Sequence, residues 1–170
     1  MVDGRWVPTF PNAKYVFSKA EYDYWLSQIG LDGFNTNVFE DSVLPVIEQG
    51  QALVVEGTEA IADALLIHST FGHSPGHITF ELLNKGGSSE GGLFSGDTMH
   101  QPLQVFNPQW NSCFCADPDQ ATASRRWLLE YAAEHRSTVF TAHFANSSAG
   151  RVTRTGDNFD WQFIQDEEQA

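Results

Sequence analysis

Short apolar runs, each bounded by polar or glycine-containing segments, recur along this chain and predict β-strands. The run at residues 78–83 is typical: it follows a loop with two glycines and is itself followed by a polar, glycine-rich segment. Runs of three to six residues fit the usual length of a strand. The predicted strands are 14–17, 51–55, 64–68, 78–83, 93–95 and 138–141, with one or two more between 151 and 164.

Three helices are predicted between these strands, over about 18–28, 41–50 and 117–135. Ser18 with Glu21 three residues later forms a capping-box pattern at the start of the first helix. The second helix contains Pro45 and should bend there. Asp117 followed by Pro118 is typical of a capped start for the third. Strands and helices with both hairpin and crossover connections predict an α/β (α+β) fold, in which helices flank mixed sheets.

The glycine-rich segment 84–92 between two predicted strands is interpreted as a hairpin loop. Glycine clusters also form phosphate-binding loops, but those end in Gly-Lys-Ser/Thr and lead into a helix. Residues 84–92 have neither feature.

Composition restricts the possible functions. The 170 residues carry a formal net charge of −13, from 22 acidic and 9 basic residues, which disfavours binding to nucleic acid or to an anionic membrane. The N-terminus lacks the basic start and apolar stretch of a signal peptide, and no apolar run is long enough to span a membrane. Cys113 and Cys115 are too close in sequence for an ordinary disulfide. We therefore expect a reduced, cytoplasmic protein of one domain.

Histidine and aspartate residues stand at the ends of three predicted strands. His73 and His77 lie in the loop after 64–68, Asp97 follows 93–95, and His143 follows 138–141. Imidazole nitrogens and carboxylate oxygens are zinc ligands. Taken singly, each of these residues is explained by hydrogen bonding in a loop, a turn or the core at least as well as by metal binding. His68 and His100 have no support beyond that interpretation, so only the joint pattern indicates a metal centre.

That joint pattern resembles the metallo-β-lactamase superfamily, in the branch with N-acyl-homoserine lactone lactonases and organophosphate-cleaving hydrolases. Residues 70–77, Thr-Phe-Gly-His-Ser-Pro-Gly-His, are similar to the family's Thr-Pro-Gly-His-Thr/Ser-Pro-Gly-His loop, with Phe71 in place of proline. Gly96-Asp97 resembles the family's metal-bridging Gly-Asp, and Thr141-Ala142-His143 resembles the segment with its last ligand histidine. The resemblance covers almost the whole chain.

The resemblance implies part of an αββα sandwich and a zinc-type hydrolase. A lactone, ester or phosphotriester would be the small-molecule substrate, attacked by a metal-bound hydroxide. His73, Asp97 and His143 would be metal ligands, Asp97 the catalytic carboxylate shared by two zinc ions, and His77 a supporting residue. Substrate-binding residues are not indicated. Three nearby residues are interpreted either as the lining of an apolar pocket or as part of the core. They are Met99, Phe106 and Trp110.

One element of the family pattern is missing. Relatives have a His-x-His-x-Asp-His motif before this region, and the 170-residue sequence contains none. By resemblance, residues 1–170 are expected to be one N-terminally truncated domain. Each of two ions would keep only two ligands, fewer than the usual three. We therefore expect weak or absent metal binding and little hydrolysis by this chain alone, and an uncovered sheet that favours a homo-oligomer or a partner.

The main alternative is a catalytically inactive pseudoenzyme or interaction module that retains the scaffold. The DNA upstream of Met1 discriminates between the two, because an in-frame His-x-His-x-Asp-His segment would favour the enzyme. Thiol chemistry at Cys113 and Cys115 is disfavoured, because no basic residue lies near them in sequence. Serine nucleophile chemistry has no Gly-x-Ser-x-Gly motif to support it.

Overall fold

The structure is a computed structural model that describes residues 1–31, 36–83, 91–145 and 147–164. It contains two compact units, Met1–Glu56 and Gly57–Ala170. That the 170 residues form one domain stays a prediction.

The first unit joins two short parallel strands with helices. Strand β1 pairs with β2 from Tyr15 opposite Ala52 to Ser18 opposite Val55. Ser18 caps helix α1 as predicted, because its Oγ accepts a hydrogen bond of 3.2 Å from the backbone N–H of Glu21. The elements are β1 Tyr15–Ser18, α1 Lys19–Ser27, α2 Thr36–Val38, a π-helical turn Phe39–Val43, α3 Leu44–Glu48 and β2 Ala52–Val55.

The start predicted for the second helix was wrong. The described helical conformation already begins at Thr36, and Asp41 and Ser42 lie inside the π-helical turn rather than at a cap. Pro45 explains the widened turn, since its ring has no N–H to donate and crowds the carbonyl four residues before it. The helix therefore changes its hydrogen-bond spacing at the proline, and α3 continues beyond it.

The second unit contains a seven-stranded mixed sheet with the order β3-β4-β5-β6-β7-β8-β9. Strands β6 and β7 run parallel, and all other neighbouring pairs are antiparallel. The strands are β3 Ala60–Ile61, β4 Leu65–Ser69, β5 Ile78–Leu82, β6 Gly92–Phe94, β7 Thr138–Phe140, β8 Ala149–Thr155 and β9 Asn158–Phe163.

Helix α5, Pro118–His135, makes the crossover between the parallel strands β6 and β7. It begins as predicted, because the Asp117 carboxylate accepts a hydrogen bond of 3.0 Å from the backbone N–H of Gln120. Its buried positions recur at helical spacing, so one stripe faces the core. Those positions are Ala121, Ser124, Arg125, Leu128, Leu129 and Ala132.

The core of the second unit combines that stripe with residues from the sheet. Leu93 and Val139 on the parallel strands are fully buried, and Phe144, Val152 and Phe159 are nearly so. Because the side chains of a strand alternate between its faces, neighbours such as Phe94 and Phe140 lie on the opposite face of the sheet.

The predicted strands are all present, with ends that differ by one or two residues. Three short elements were not predicted: β3, the 3₁₀ turn Gly96–Thr98 that carries Asp97, and the helix α4 at Leu103–Phe106. Most of the predicted loop 84–92 lies outside the described residues. In the described part of the chain, the structure contains no helix with the length and hydropathy needed to cross a membrane.

Candidate metal centre

The sheet topology brings the ends of three strands together. Strands β4 and β6 are both antiparallel to β5, which lies between them, and β7 is parallel to β6. The carboxyl ends of β4, β6 and β7 therefore meet at one edge of the sheet. His73, Asp97 and His143 each follow one of these ends.

Residues 70–77, called here the histidine loop, pack against the start of α5. The carbonyls of Gly72 and His73 accept hydrogen bonds from the backbone of Asp117 and Ala116, at 2.9 and 3.0 Å. Gly72 has a φ of +125°, and a Cβ built there would lie 2.1 Å from the backbone nitrogen of Ala121. Only glycine fits this close approach, which fixes the position of His73.

His77 connects the histidine loop to the turn that carries Asp97. Its Nε2 accepts a hydrogen bond of 2.9 Å from the backbone N–H of Asp97. Its Nδ1 must then carry the proton, and it lies 2.9 Å from the hydroxyl oxygen of Thr70. Gly96 has a φ of +50°, and a Cβ there would lie 2.7 Å from His77 Nε2, so glycine is required here too. The supporting role of His77 stays a prediction.

The carboxylate of Asp97 lies between two imidazoles. His73 Nε2 is 3.2 Å from Asp97 Oδ2, and His143 Nε2 is 2.8 Å from Asp97 Oδ1. The three predicted ligands therefore converge, with one carboxylate oxygen toward each histidine. The side chain of Asp97 is 37% exposed, so solvent or a substrate can reach it.

His100 is a fourth member of this cluster that sequence reasoning missed. Its ring stacks on His143 with 4.8 Å between ring centroids and lies 5.0 Å from the ring of His73. His73, Asp97 and His100 each provide one possible ligand atom, and these three atoms lie within 4.8 Å of one another. Burial is the main cause that lowers the pKa of His100, and the nearby His73 acts in the same direction. The signal that could have found it is its position three residues after Asp97.

The cluster passes a test of fit for a divalent cation. Among the described residues, the Nδ1 atoms of His73 and His100 are buried and have no hydrogen-bond partner. Buried polar atoms are rarely left unpaired in proteins, so a cation can satisfy the unpaired nitrogen of His100, whereas His73 faces Asp97 with its Nε2. Imidazole nitrogens combined with a carboxylate oxygen suit zinc. His73, Asp97 and His100, with His143 beside them, thus have the chemistry and the spacing of a metal site.

Several other residues considered from the sequence lie elsewhere or have other surroundings. Met99 is fully buried in the core, whereas Phe106 and Trp110 are 46% and 51% exposed, so the core-packing interpretation was wrong for these two. In the described part of the chain Cys113 and Cys115 are free thiols. Cys115 lies beside the guanidinium of Arg125, a basic neighbour that sequence proximity did not show.

Comparison with solved structures identifies the fold. A hydrolase of the β-lactamase superfamily, AbOPH, superposes with a TM-score of 0.78 at 22% identity, over 93% of this chain and 57% of its own. AidC, a dizinc quorum-quenching lactonase with a bound product, gives 0.73 at 22% identity, over 92% and 56%. A probable metal-dependent hydrolase from Staphylococcus aureus gives 0.72 at 17% identity, over 93% and 54%.

The chain thus has a partial metallo-β-lactamase fold, as the sequence motifs predicted, and it spans little more than half the length of these structures, 54–57%. No protein-family model matches the sequence, and no curated protein does. The likeness is therefore one of fold, and what the three structures bind or cleave is a property of those proteins.

Proposed function

We propose that this chain is part of a metal-dependent hydrolase that cleaves a lactone, ester or phosphotriester, with His73, Asp97 and His143 as zinc ligands. The observation that carries the proposal is the carboxylate of Asp97, which directs one oxygen to each of two histidines at 3.2 and 2.8 Å. The fold supports it, because the similar structures include a dizinc lactonase and a hydrolase named for the β-lactamase superfamily.

The residues of this chain have distinct parts in such a reaction. Zinc at this site would lower the pKa of a coordinated water to about 7 and polarise the carbonyl or phosphoryl oxygen of the substrate. Asp97 is held in place through its backbone N–H, which donates to His77, and its carboxylate is accessible from solvent. It can therefore hold the cation and orient the attacking water beside it. His77 is a positioning residue, because it acts through Asp97.

The expected substrates follow from the chemistry of the cation and of Asp97. A carbonyl and a phosphoryl group both place negative charge on oxygen during attack by water, and both are stabilised by a nearby cation. AidC was solved with N-hexanoyl-L-homoserine, the product of lactone opening. Lactones are thus the first substrates to test, followed by aryl esters and phosphotriesters.

We propose that hydrolysis by the isolated 170 residues is slow. With His73, Asp97 and His143 as the ligands, a two-ion centre has two side chains for each ion, one of them shared. A catalytic zinc usually has three protein ligands and a water. The full rate would then require ligands that these three residues do not supply.

The test is metal-dependent hydrolysis by matched variants. The chain is loaded with Zn²⁺, Co²⁺ or Mn²⁺ and assayed on N-hexanoyl-homoserine lactone, an aryl acetate and a phosphotriester, with Asp97→Asn compared with Asp157→Asn. Asp157 is a fully exposed aspartate on the turn between β8 and β9, distant from Asp97 in the sequence. Its variant therefore controls for the loss of one negative charge. We expect a chelator-sensitive rate that falls at least about 100-fold in Asp97→Asn, the effect of losing electrostatic stabilisation at a reacting group.

Equal rates for Asp97→Asn and Asp157→Asn would overturn the proposal. Hydrolysis by the parent that persists after metal removal and dialysis would do so as well, because the proposed reaction needs the cation.

The second candidate function is an interaction module without catalysis, and one observation favours it. On the face of the sheet opposite α5, Phe94 and Phe140 stack with 5.0 Å between centroids and are 41% and 36% exposed, and Leu82 is 45% exposed. Apolar side chains of this size on one face of a sheet are typical of an interface. We propose that a second copy of the chain covers them.

A further inference from the structure

We infer that His100 is a metal ligand, and that His73, Asp97 and His100 together hold one divalent cation within this chain. The inference deepens the proposed function, since it rests on the same cation-dependent site. It changes the ligand count, because the sequence motifs provide only His73, Asp97 and His143.

The distances permit such a site. The three ligand atoms lie within 4.8 Å of one another. Zinc bonds to nitrogen and oxygen are about 2.0–2.2 Å long, so ligand atoms on one ion are separated by at most about 4.4 Å. Closure around an ion therefore needs side-chain movements on the order of 1 Å or less.

The ring of His100 is also in a state that favours ligation. Its Nδ1 is buried and has no hydrogen-bond partner within the described ranges. A buried donor or acceptor without a partner costs about 1–3 kcal/mol, and a cation at this point would remove that cost for a coordinating nitrogen.

A hydrogen-bonded support holds the backbone of His100 in place. Its backbone N–H donates to Gln104 Oε1 at 2.6 Å, and the Gln104 amide donates in turn to the carbonyl of Trp110 at 2.9 Å. Gln104 itself is only 7% exposed. A ligand whose backbone is fixed in this way enters the site with little loss of conformational freedom.

Arg125 on α5 also holds the backbone of the segment that carries His100. Its guanidinium is 1% exposed and donates to the backbone carbonyls of Thr98, Pro108 and Trp110, at 2.9, 2.6 and 3.0 Å. Thr98 lies two residues before His100, so the helix fixes both ends of the segment that carries it. We assign Arg125 as a positioning residue for His100, which it reaches only through the backbone.

His143 is outside this three-residue set. It contacts the other oxygen of Asp97 and stacks on His100, and 45% of its side chain is exposed. Three protein ligands with one open position are the usual arrangement of a catalytic zinc. The set of His73, Asp97 and His100 meets that number without His143, which remains available for a second ion.

The test is binding of Co²⁺, followed by its visible absorption and by competition with Zn²⁺. His100→Phe removes the nitrogen and keeps a ring of similar size. His135→Phe is the matched control, because His135 lies at the end of α5 and stacks on Tyr131. We expect one Co²⁺ per parent chain, a loss of affinity of at least about 10-fold in His100→Phe, and no change in His135→Phe.

A second variant gives a direct signature of ligation. In His100→Cys, a thiolate bound to Co²⁺ would add a near-ultraviolet sulfur-to-metal charge-transfer band. The parent and His135→Cys, which keep Cys113 and Cys115, provide the baseline. A band in His100→Cys alone supports the inference even if His100→Phe folds poorly.

Two results would overturn the inference: a parent chain that binds no Co²⁺, or a His100→Phe chain that binds as the parent does with no new band in His100→Cys. If binding requires His100 while no substrate is hydrolysed, the inference stands and the proposed function fails. If the parent hydrolyses substrate in a metal-dependent way and His100→Phe keeps its affinity, the proposed function stands and the inference fails.

Discussion

Glu81 is the acceptor for two side chains on the α5 side of the sheet, away from the metal centre. His68 Nε2 lies 2.8 Å from its Oε2, and the Tyr131 hydroxyl donates to the same oxygen at 2.9 Å. Burial, and then the hydrogen bond to Glu81, raises the pKa of Tyr131 to about 12. Glu134 on α5 acts in the same direction, and the ring of His135 stacks on the tyrosine.

This pKa predicts a loss of stability at alkaline pH. A tyrosine in the unfolded chain loses its proton near pH 10, whereas folded Tyr131 keeps it to about pH 12. Between these values the folded state binds more protons, so the free energy of unfolding falls as pH rises. Tyr131→Phe should remove this dependence, a difference on the order of 1 kcal/mol or a few degrees in Tm at pH 12 relative to pH 9.

The measurement is thermal or urea unfolding of the parent and of Tyr131→Phe between pH 9 and 12, with Tyr24→Phe as the control. Tyr24 lies exposed on α1, so its variant controls for the loss of a tyrosine hydroxyl. If the parent and Tyr131→Phe lose the same stability over this range, burial and the hydrogen bond to Glu81 do not raise the pKa of Tyr131 as described.

At the scale of elements, Arg125 is the link between α5 and the segment that carries His100. Arg125→Met would keep the aliphatic stem but remove the donor to the carbonyls of Thr98 and Pro108; the carbonyl of Trp110 would keep only its hydrogen bond from Gln104. Buried acceptors without partners are costly, so we expect a loss of about 2–4 kcal/mol in the free energy of unfolding. Co²⁺ affinity should fall as well, because His100 is no longer held.

Arg126 provides a matched control, because it is the next residue and is exposed. Arg126→Met should change the free energy of unfolding by about 0.5 kcal/mol or less. Arg125→Lys should recover only part of the loss, since an ammonium group cannot reach the same acceptors with a planar fork. Equal urea midpoints for Arg125→Met and Arg126→Met would contradict this account.

The elements that the sequence predicted well are those with a local signal. Ser18 and Asp117 mark helix starts because their side chains accept hydrogen bonds from nearby backbone N–H groups. The helix around Pro45 was misplaced because a π-helical turn has no such local mark. The two-residue strand β3 was missed because its pairing with β4, not its own pattern, makes it a strand.

The same distinction applies to the candidate site. His73, Asp97 and His143 were found because each follows an apolar strand and belongs to a motif. His100 was assigned no role because its position depends on Arg125, which is distant in sequence, and on a hydrogen bond to the side chain of Gln104 that no sequence motif marks. The basic neighbour of Cys115 was missed for the same reason, since Arg125 is distant in sequence and adjacent in space.

At the scale of the molecule, the fold is recognisable although few residues are shared. The solved structures match at 17–22% identity, yet superpose over 92–93% of the chain. The sheet order explains why the motifs were enough: β4, β6 and β7 end at one edge, so three separated segments must converge there. The site is in this sense a consequence of topology, and the remaining sequence is free to vary as long as the strands form.

The exposed apolar face of the sheet predicts self-association. Phe94, Phe140 and Leu82 lie on one face, and burial of such side chains against a second copy is favourable. The net charge of −13 opposes this through repulsion, which salt screens.

Light scattering coupled to size-exclusion chromatography should therefore show a dimer or larger species whose fraction increases with salt. Phe140→Asp should shift the chain toward monomer, and Phe114→Asp, at a residue that is 66% exposed on another segment, should not. A monodisperse parent monomer that unfolds cooperatively at both low and high salt would contradict the prediction, because the exposed rings would then be tolerated in water without a partner.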